Sequence, residues 1–320
     1  MDDVELAELR STLRHLLDTA PPGAAVGGLV DSGWLEVYDQ DPGEALAALF
    51  QVKGEMLAAA SLYELVAAPV VGRDPRQLRI IFPATAKATP GELDGYATGS
   101  LSDGLDLLII DDWHGRGSSR IVRLATARVE ARPVGGLDAE AGVTRVSGSY
   151  RAEDGPLLDD EATARLLDVL RLAVAFELIG QTDHMLRLAI EHVTVREQFG
   201  RPLGSFQAVR HRLADVAVLA AGAVSVAAAV TPRTGRDHND TDVAPRAALI
   251  AAAAAADAAR RNCLQVCGAI GFTWEFGLHR YMRRSLVLEA LSGSPQAVAA
   301  DLGQSLIDAR RVSRIGSVHA

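Results

Sequence analysis

Apolar residues recur at helical spacing from residue 2 to about residue 71. The first series is Leu6, Leu9, Leu13 and Leu16, and a second includes Leu46, Leu49, Val52 and Met56. Spacings of three and four residues place side chains on one face of a helix, so both series predict amphipathic helices. Proline and glycine at 21–23 and 42–43 punctuate these helices as turns.

The middle of the chain, from about Arg76 to Tyr150, has a different pattern. Short runs rich in β-branched residues are bounded by Gly, Pro, Asp or Ser, at 78–82, 105–110, 119–124 and 127–131. Runs of this length and composition predict strands. We expect them to form a small antiparallel unit.

Long helical patterns return from about Leu158. The predicted helices are one that ends near Arg196, one with Ser205 as its N-cap, and three at about Val243–Cys267, Gly277–Leu291 and Pro295–Arg311. Antiparallel packing of such helices predicts a four-helix bundle. The expected fold is mostly α with a small β domain. The predicted units are an N-terminal helical domain (1–75), a middle β domain (76–152) and a C-terminal helical bundle domain (153–320).

Composition and charge narrow the class of protein. The 320 residues are 48% hydrophobic and 23% charged, as in globular proteins, and the net charge of −9 argues against a nucleic-acid partner. Cys263 and Cys267 have no further Cys or His at ligand spacing, so we predict no metal site. The longest apolar run, Val216 to Val230, is shorter than the about 20 residues of a membrane span. The N-terminus has no basic segment of a signal peptide, so we expect a cytoplasmic protein without a membrane partner.

Two segments in the C-terminal third have the composition of a ligand-binding surface. The first, Arg196-Glu-Gln-Phe-Gly-Arg-Pro, combines a planar arginine donor and a glutamine with a turn. The second, Gln265-Val-Cys-Gly-Ala-Ile-Gly-Phe, has small residues that let a ligand approach the backbone. Taken singly, each is also a helix that ends at a glycine. A basic aromatic stretch, Leu278-His-Arg-Tyr-Met-Arg-Arg, follows and is typical of a structural interface.

Together these segments resemble the C-terminal half of acyl-CoA dehydrogenases, flavoenzymes that desaturate acyl thioesters. The resemblance is specific from about Leu166 to Gln296 and poor in the middle of the chain. It implies that FAD is held at its adenine and pyrophosphate end by six residues: Arg196, Gln198, Phe199, Gln265, Gly268 and Ala269. Ala269 stands where the family has a second glycine.

The family's glutamate base is missing from this sequence. In the family that the chain resembles, that glutamate removes the α-proton of the thioester while the flavin accepts a hydride from Cβ. The register of the resemblance places Ser292 at the position of this glutamate. An unassisted serine hydroxyl is no general base near neutral pH. A second base position, used by some members, corresponds to Ala254. The family's isoalloxazine-binding segment is also not found between Arg76 and Tyr150.

These losses imply a shared active site. The resemblance is to the short subunit of heteromeric α₂β₂ bacterial acyl-CoA dehydrogenases of the sterol-degrading type. It implies that a second acyl-CoA dehydrogenase subunit supplies the base, that FAD is shared, that an acyl-CoA is the substrate, and that an electron-transfer flavoprotein is the acceptor. Two alternatives stay open. The chain is a self-sufficient enzyme with Asp257 or Glu289 as a displaced base, or it is a flavin-free scaffold or thioester-binding subunit.

Overall fold

The computed structural model describes the chain except residues 22, 60, 86–88, 90, 114–118, 124–126, 152–154, 231–242 and 310–320. The helices are α1 (Asp3–Thr19), α2 (Ala25–Asp31), α3 (Trp34–Gln40), α4 (Pro42–Met56), α5 (Tyr63–Val71), α6 (Asp160–Val195), α7 (Gln207–Val230), α8 (Val243–Cys267), α9 (Leu278–Leu291) and α10 (Pro295–Ala309). The strands are β1 (Leu78–Pro83), β2 (Glu92–Thr98), β3 (Asp106–Ile110), β4 (Ser119–Arg123), β5 (Arg128–Pro133), β6 (Val143–Ser149), β7 (Glu197–Gln198) and β8 (Arg201–Pro202). Mostly helical architecture with a small β unit is therefore confirmed.

The helix α6 is the centre of the molecule. It is 36 residues long and buried almost all round from Leu166 to Thr182, as expected of a helix surrounded by other elements. The helices α4, α5, α7, α8 and α9 pack against it, and α10 packs on α8. The predicted C-terminal bundle is thus present. One apolar core joins it to the N-terminal helices, while the boundaries near 75 and 152 stay a prediction.

Two glycines allow α4 and α6 to cross in backbone contact. A methyl group added at Gly54 would lie 2.2 Å from the carbonyl oxygen of Glu177, and one at Gly180 would lie 2.2 Å from that of Gln51. No side chain larger than hydrogen fits at either crossing point without moving a helix. The N-terminal helices are therefore fixed directly onto the central helix of the bundle.

A buried ion pair crosses the same contact. Lys53 Nζ lies 2.5 Å from Glu177 Oε2, and the Tyr63 hydroxyl donates to the same oxygen at 2.7 Å. Burial lowers the pKa of Lys53 and the negative charge of Glu177 opposes that shift. Breaking one side of such a pair strands a charge in the core, so this polar contact specifies how α4, α5 and α6 fit together.

The middle sheet has strand order β4-β3-β1-β2-β6-β5. Strands were predicted at β1, β3, β4 and β5 and are present there, although residue 124 lies outside the described residues. The prediction of an antiparallel unit was wrong in one respect, because β1 and β3 pair in parallel, with Leu78 opposite Asp106. Strands β2 and β6 were not predicted. Their sequences, Glu-Leu-Asp-Gly-Tyr-Ala-Thr and Val-Thr-Arg-Val-Ser-Gly-Ser, lack a β-branched or aromatic run.

Candidate functional site

The segment after α6 is a two-residue hairpin. Gln198 pairs with Arg201 across β7 and β8, and the turn between them is Phe199-Gly200. Both turn residues have positive φ, 55° and 77°, as the type I′ turn of such hairpins requires. Positive φ is uncommon for a bulky residue, yet the Phe199 side chain is 90% exposed. The Phe199 ring packs edge to face on that of Phe206, with centroids 6.1 Å apart, and its backbone strain and exposure make it a candidate binding residue.

Arg196 and Gln198 present free donors at this hairpin. The backbone of Arg196 caps α6, since its N–H donates to the His192 carbonyl at 2.9 Å and its carbonyl accepts from Leu203 at 2.8 Å. Both side chains are exposed, and among the described residues neither has a hydrogen-bond acceptor. Burial, and secondarily the nearby positive charge of Arg196, lower the pKa of His192.

The second predicted segment ends α8. Gly268 has φ of 64°, and a Cβ placed on it would meet nothing within 4 Å, so the glycine serves the left-handed conformation that terminates the helix. Gly271 is different, because a Cβ there would lie 2.9 Å from a methyl group of Leu264. Ala269 and Gln265 are exposed.

The hairpin and the glycine segment lie at the same end of the bundle. The rings of His192, in the last turn of α6, and Phe276, just after the glycine segment, pack edge to face with centroids 5.5 Å apart. Beneath both segments one apolar cluster includes Val193, Cys263 and Leu278. This shared cluster brings the two predicted groups of site residues to one surface.

Exposed aromatic residues extend this surface. Phe272 and Trp274 are 64% and 65% exposed. The guanidinium of Arg283 lies 5.1 Å from the Trp274 ring centroid, and Arg201 lies 4.1 Å from that of Phe206. Trp and Arg are enriched at binding hot spots, and Phe is enriched at protein interfaces.

The residue at the missing base position is closed off from any substrate. Ser292 is 1% exposed and forms the C-cap of α9. Its hydroxyl donates to the Leu288 carbonyl at 2.9 Å. Gly293, with φ of 74°, then turns the chain toward α10. The serine therefore has a structural role here. Ala254, at the second base position, is exposed on α8 and has no proton-accepting group.

Both alternative bases are held by one arginine. Arg260 Nη1 lies 2.6 Å from Glu289 Oε1, its Nη2 lies 3.2 Å from Glu289 Oε2, and Nη2 is also 3.3 Å from Asp257 Oδ1. Arg261 is 2.7 Å from the other oxygen of Asp257. These charge-assisted contacts occupy part of the acceptor capacity of both carboxylates. Asp257 and Arg261 are four residues apart on one helix, whereas the contact of Arg260 with Glu289 joins α8 to α9.

The Ser205 prediction was wrong. Residues Leu203–Ser205 form a 3₁₀ turn, α7 begins at Gln207, and the Phe206 carbonyl accepts from Val209 and Arg210. The Ser205 hydroxyl is buried and has no partner among the described residues. An open groove of about 520 Å³ lies elsewhere, on the edge of strands β5 and β6, and no predicted site residue lines it.

Comparison with known proteins assigns the family. Residues 161–307 match the model of the acyl-CoA dehydrogenase C-terminal domain. The acyl-CoA dehydrogenase IpdE2 of Mycobacterium tuberculosis is 32% identical over 314 residues, which cover 91% of this chain and 93% of that protein. The chain belongs to the acyl-CoA dehydrogenase family. A second relative, acyl-CoA dehydrogenase FadE34 of the same organism, is 35% identical over 63% of this chain and 27% of its own length.

Solved structures share the fold of this dehydrogenase. A chain of the ChsE4-ChsE5 complex from Mycobacterium tuberculosis aligns with a TM-score of 0.76 and 19% identity, covering 96% of this chain and 98% of its own. A variant of the Tcur3481-Tcur3483 steroid acyl-CoA dehydrogenase aligns with a TM-score of 0.75 and 22% identity, covering 96% and 98%. At these identities the likeness is one of fold.

Acyl-CoA dehydrogenases are oxidoreductases, so family membership makes this chain an oxidoreductase by type. The cofactor that the family implies is FAD. The described residues fit an anionic ligand at the end of the bundle, because Arg196 and Gln198 are exposed donors without acceptors and Gly268 leaves open space. At the family's base position the described residues offer the buried Ser292 and no carboxylate.

Proposed function

We propose that this chain is the non-basic subunit of a heteromeric, FAD-dependent acyl-CoA dehydrogenase. In this proposal the partner subunit supplies the glutamate base and holds the isoalloxazine ring. This chain contributes the donors that bind the adenine and pyrophosphate end of the FAD, and that cofactor accepts the hydride when it is bound. The reaction is the α,β-desaturation of an acyl-CoA.

One contrast carries the proposal. The donors for an anion are free, since Arg196 and Gln198 are exposed without acceptors among the described residues. The candidate positions for a base are engaged in other contacts, since Ser292 is a buried helix cap and Glu289 forms an ion pair with Arg260. Loss of a positioned base costs about 10²–10⁴-fold in rate, so an enzyme that acted alone would be poor. A partner that supplies the base removes this conflict.

The roles of the predicted cofactor residues follow from their positions. Arg196 offers a planar pair of donors to a pyrophosphate, and Gln198 on the adjacent strand adds a neutral donor. Phe199 provides an exposed aromatic surface beside them. At the neighbouring segment, Gln265 adds a side-chain amide, while Gly268 and Ala269 let the adenosine part approach the backbone.

The substrate class follows from the relatives. One structural neighbour is called a steroid acyl-CoA dehydrogenase, and another is a complex of two different chains. We therefore propose a steroid-derived acyl-CoA as the substrate and a second acyl-CoA dehydrogenase chain as the partner. An electron-transfer flavoprotein is the proposed electron acceptor.

The first experiment is the visible absorption spectrum of the chain purified alone and after co-expression with a second acyl-CoA dehydrogenase chain that carries the glutamate base. We expect about one FAD per heterodimer and no flavin on the chain alone. A homo-oligomer of this chain with full flavin content and normal turnover would contradict the shared site. In that case Asp257→Asn and Glu289→Gln would identify a displaced base by a loss of activity.

Arg196→Ala directly tests the proposed binding of the FAD pyrophosphate by this residue. We expect the heteromer to assemble and to lose most of its FAD, because the pyrophosphate loses a bidentate partner. Arg196→Lys should restore only part of the content, since an ammonium group keeps the charge without the planar fork. Arg132→Ala, which removes the same charge from a 79% exposed side chain on β5, is the control. Unchanged flavin content in an assembled Arg196→Ala complex would support the scaffold alternative instead.

A further inference from the structure

Arg201 lies on the second strand of the hairpin that follows α6. It pairs with Gln198 on the first strand, and Glu197 pairs with Pro202 in the same way. Directly paired residues of antiparallel strands project their side chains to one face, with Cβ atoms about 5 Å apart. Successive residues of one strand project to opposite faces. Arg201 and Gln198 therefore share one face of the hairpin, and Glu197 belongs to the other face.

An aromatic ring holds the Arg201 side chain in place. The central carbon of its guanidinium lies 4.1 Å from the centroid of the Phe206 ring. Stacking uses one face of the planar guanidinium and leaves the N–H donors at its edge free. The contact therefore restricts the side chain without consuming its hydrogen bonds. A donor fixed in this way loses less conformational freedom when it binds an anion.

The donors of Arg201 are available to a ligand. The side chain is exposed, and within the described part of the chain no carboxylate forms an ion pair with it. The nearby Arg210 differs, because its Nε donates to the Gly204 carbonyl at 2.7 Å. Arg196 and Arg201 are thus the arginines at this hairpin whose guanidinium groups can turn to an anion.

We propose that Arg201 binds a phosphate of the FAD together with Arg196. This inference rests on the proposed function, which puts the FAD pyrophosphate at Arg196 and Gln198. The pyrophosphate of a dinucleotide carries one negative charge on each phosphate, whereas Arg196 supplies one positive charge and Gln198 supplies none. Arg201 supplies the second positive charge from the face that it shares with Gln198. Its planar fork matches the geometry of phosphate oxygens.

This role makes the hairpin selective for the diphosphate part of the cofactor. ADP carries the two phosphates and adenosine carries none, so Arg201 contributes to the binding of ADP and not to that of adenosine. A role confined to packing on Phe206 has a different signature. It affects both ligands alike, because the contact between Arg201 and Phe206 does not involve the phosphates.

The inference and the proposed function fail in different ways. Unchanged flavin content in an assembled Arg196→Ala complex contradicts the proposed function and this inference with it. Loss of flavin from Arg196→Ala together with normal FAD retention by an Arg201 variant leaves the proposed function intact. In that case Arg201 alone is removed from the site.

The test compares two variants of Arg201 in the co-expressed complex. Arg201→Met removes the charge and keeps a long side chain that packs on Phe206, since thioethers contact aromatic rings favourably. Arg201→Lys keeps the charge. The measurement is the rate of FAD release after dilution, followed by the fluorescence of the free flavin. Arg132→Met, which removes the charge of an exposed arginine on β5, is the control and should leave the rate unchanged.

Release from Arg201→Met should be about 10- to 100-fold faster than from the unchanged complex, the range expected for the loss of a charged hydrogen bond. The rate for Arg201→Lys should lie between the two. A rate for Arg201→Met equal to that of the unchanged complex would overturn the proposal. So would release from Arg201→Lys that is as fast as, or faster than, release from Arg201→Met, because the charge at this position would then not hold the cofactor.

Competition between nucleotides separates phosphate binding from a change in the shape of the hairpin. The complex depleted of FAD is titrated with FAD in the presence of ADP or of adenosine. Arg201→Met should weaken competition by ADP about 10- to 100-fold and leave competition by adenosine unchanged. Equal weakening of both competitors, or no weakening of either, would overturn the assignment of Arg201 to a phosphate.

Discussion

Two ion pairs join α9 to the short turn Ala139–Ala141 and differ mainly in burial. Arg284 Nε lies 2.6 Å from Asp138 Oδ2, with side chains 4% and 5% exposed. One helical turn earlier, Arg280 Nη2 lies 2.7 Å from Glu140 Oε2, with side chains 43% and 54% exposed. The helix and the turn are shared and the bond lengths are similar, so burial is the main reason to expect a difference in their effect on stability.

The expected magnitudes are far apart. Asp138→Asn keeps the shape of the side chain but leaves the buried Arg284 guanidinium without its counter-ion, which costs about 3–5 kcal/mol. Arg284→Met strands the Asp138 carboxylate and removes the 3.1 Å hydrogen bond to the Leu57 carbonyl, so a similar cost is expected. Glu140→Gln should cost under about 1 kcal/mol, because water already solvates that pair.

The assay is urea unfolding followed by circular dichroism, with the transition midpoint and slope compared among variants. The Asp138→Asn/Arg284→Met double variant should cost less than the sum of the two single variants, because removing the second partner relieves a stranded charge. Equal costs for the buried and exposed pairs would refute the reasoning. So would strict additivity of the two single changes at the buried pair.

Three further outcomes are expected. Gly54→Ala should destabilise the chain by about 3 kcal/mol in urea because its methyl group meets a backbone carbonyl of α6, whereas Gly303→Ala, with open space in α10, should gain about 1 kcal/mol. Burial lowers the pKa of His184 to about 4, so its contribution to stability is complete above pH 6.5 and is lost as the pH falls toward 4. Allowing for the exposed part of the ring, the loss in the free energy of unfolding should be about 1–2 kcal/mol. His184→Gln should reduce the change of the urea midpoint with pH over this range, while His15→Gln, at an exposed residue, should not. Ser292→Glu should destabilise the chain and give it no acyl-CoA dehydrogenase activity alone, measured with a dye acceptor, since a buried helix cap cannot serve as a base; measurable turnover would contradict this.

The helices could be predicted from the sequence because their periodicity is local information. The pattern of α8 gave Val243–Cys267, which the structure has, and that of α9 was one residue too long at its start. The strand β2 was missed because its inward positions are Leu93, Gly95 and Ala97, too small to produce a β signature. Gly95 is there because Phe82 of β1 approaches closely, a fact of tertiary structure: an added Cβ would lie 2.4 Å from its carbonyl oxygen.

Part of the candidate site could also be predicted from the sequence and part could not. Residues at fixed spacing indicated both proposed FAD-binding segments and the absent glutamate, because such motifs are contiguous in sequence. The neutralisation of Glu289 was beyond the sequence, since Arg260 is 29 residues away on another helix. Contacts between helices depend on their relative rotation, which no local pattern specifies. The assignment of Arg196 and its neighbours to FAD stays a prediction.

The distribution of partners among charged groups supports a division of labour. A general base needs a carboxylate that is free to accept a proton, and an anion clamp needs donors that lack acceptors. Within the described bundle, Glu177 has Lys53 as its counter-ion and Glu289 has Arg260, so these acids already have cationic partners. Arg196, by contrast, is exposed at the end of α6 with no described acceptor. Glu197 is exposed beside Arg196, so the contrast concerns the base positions alone: Ser292 carries no carboxylate, whereas Arg196 can donate to an anion, as the proposed shared cofactor site requires.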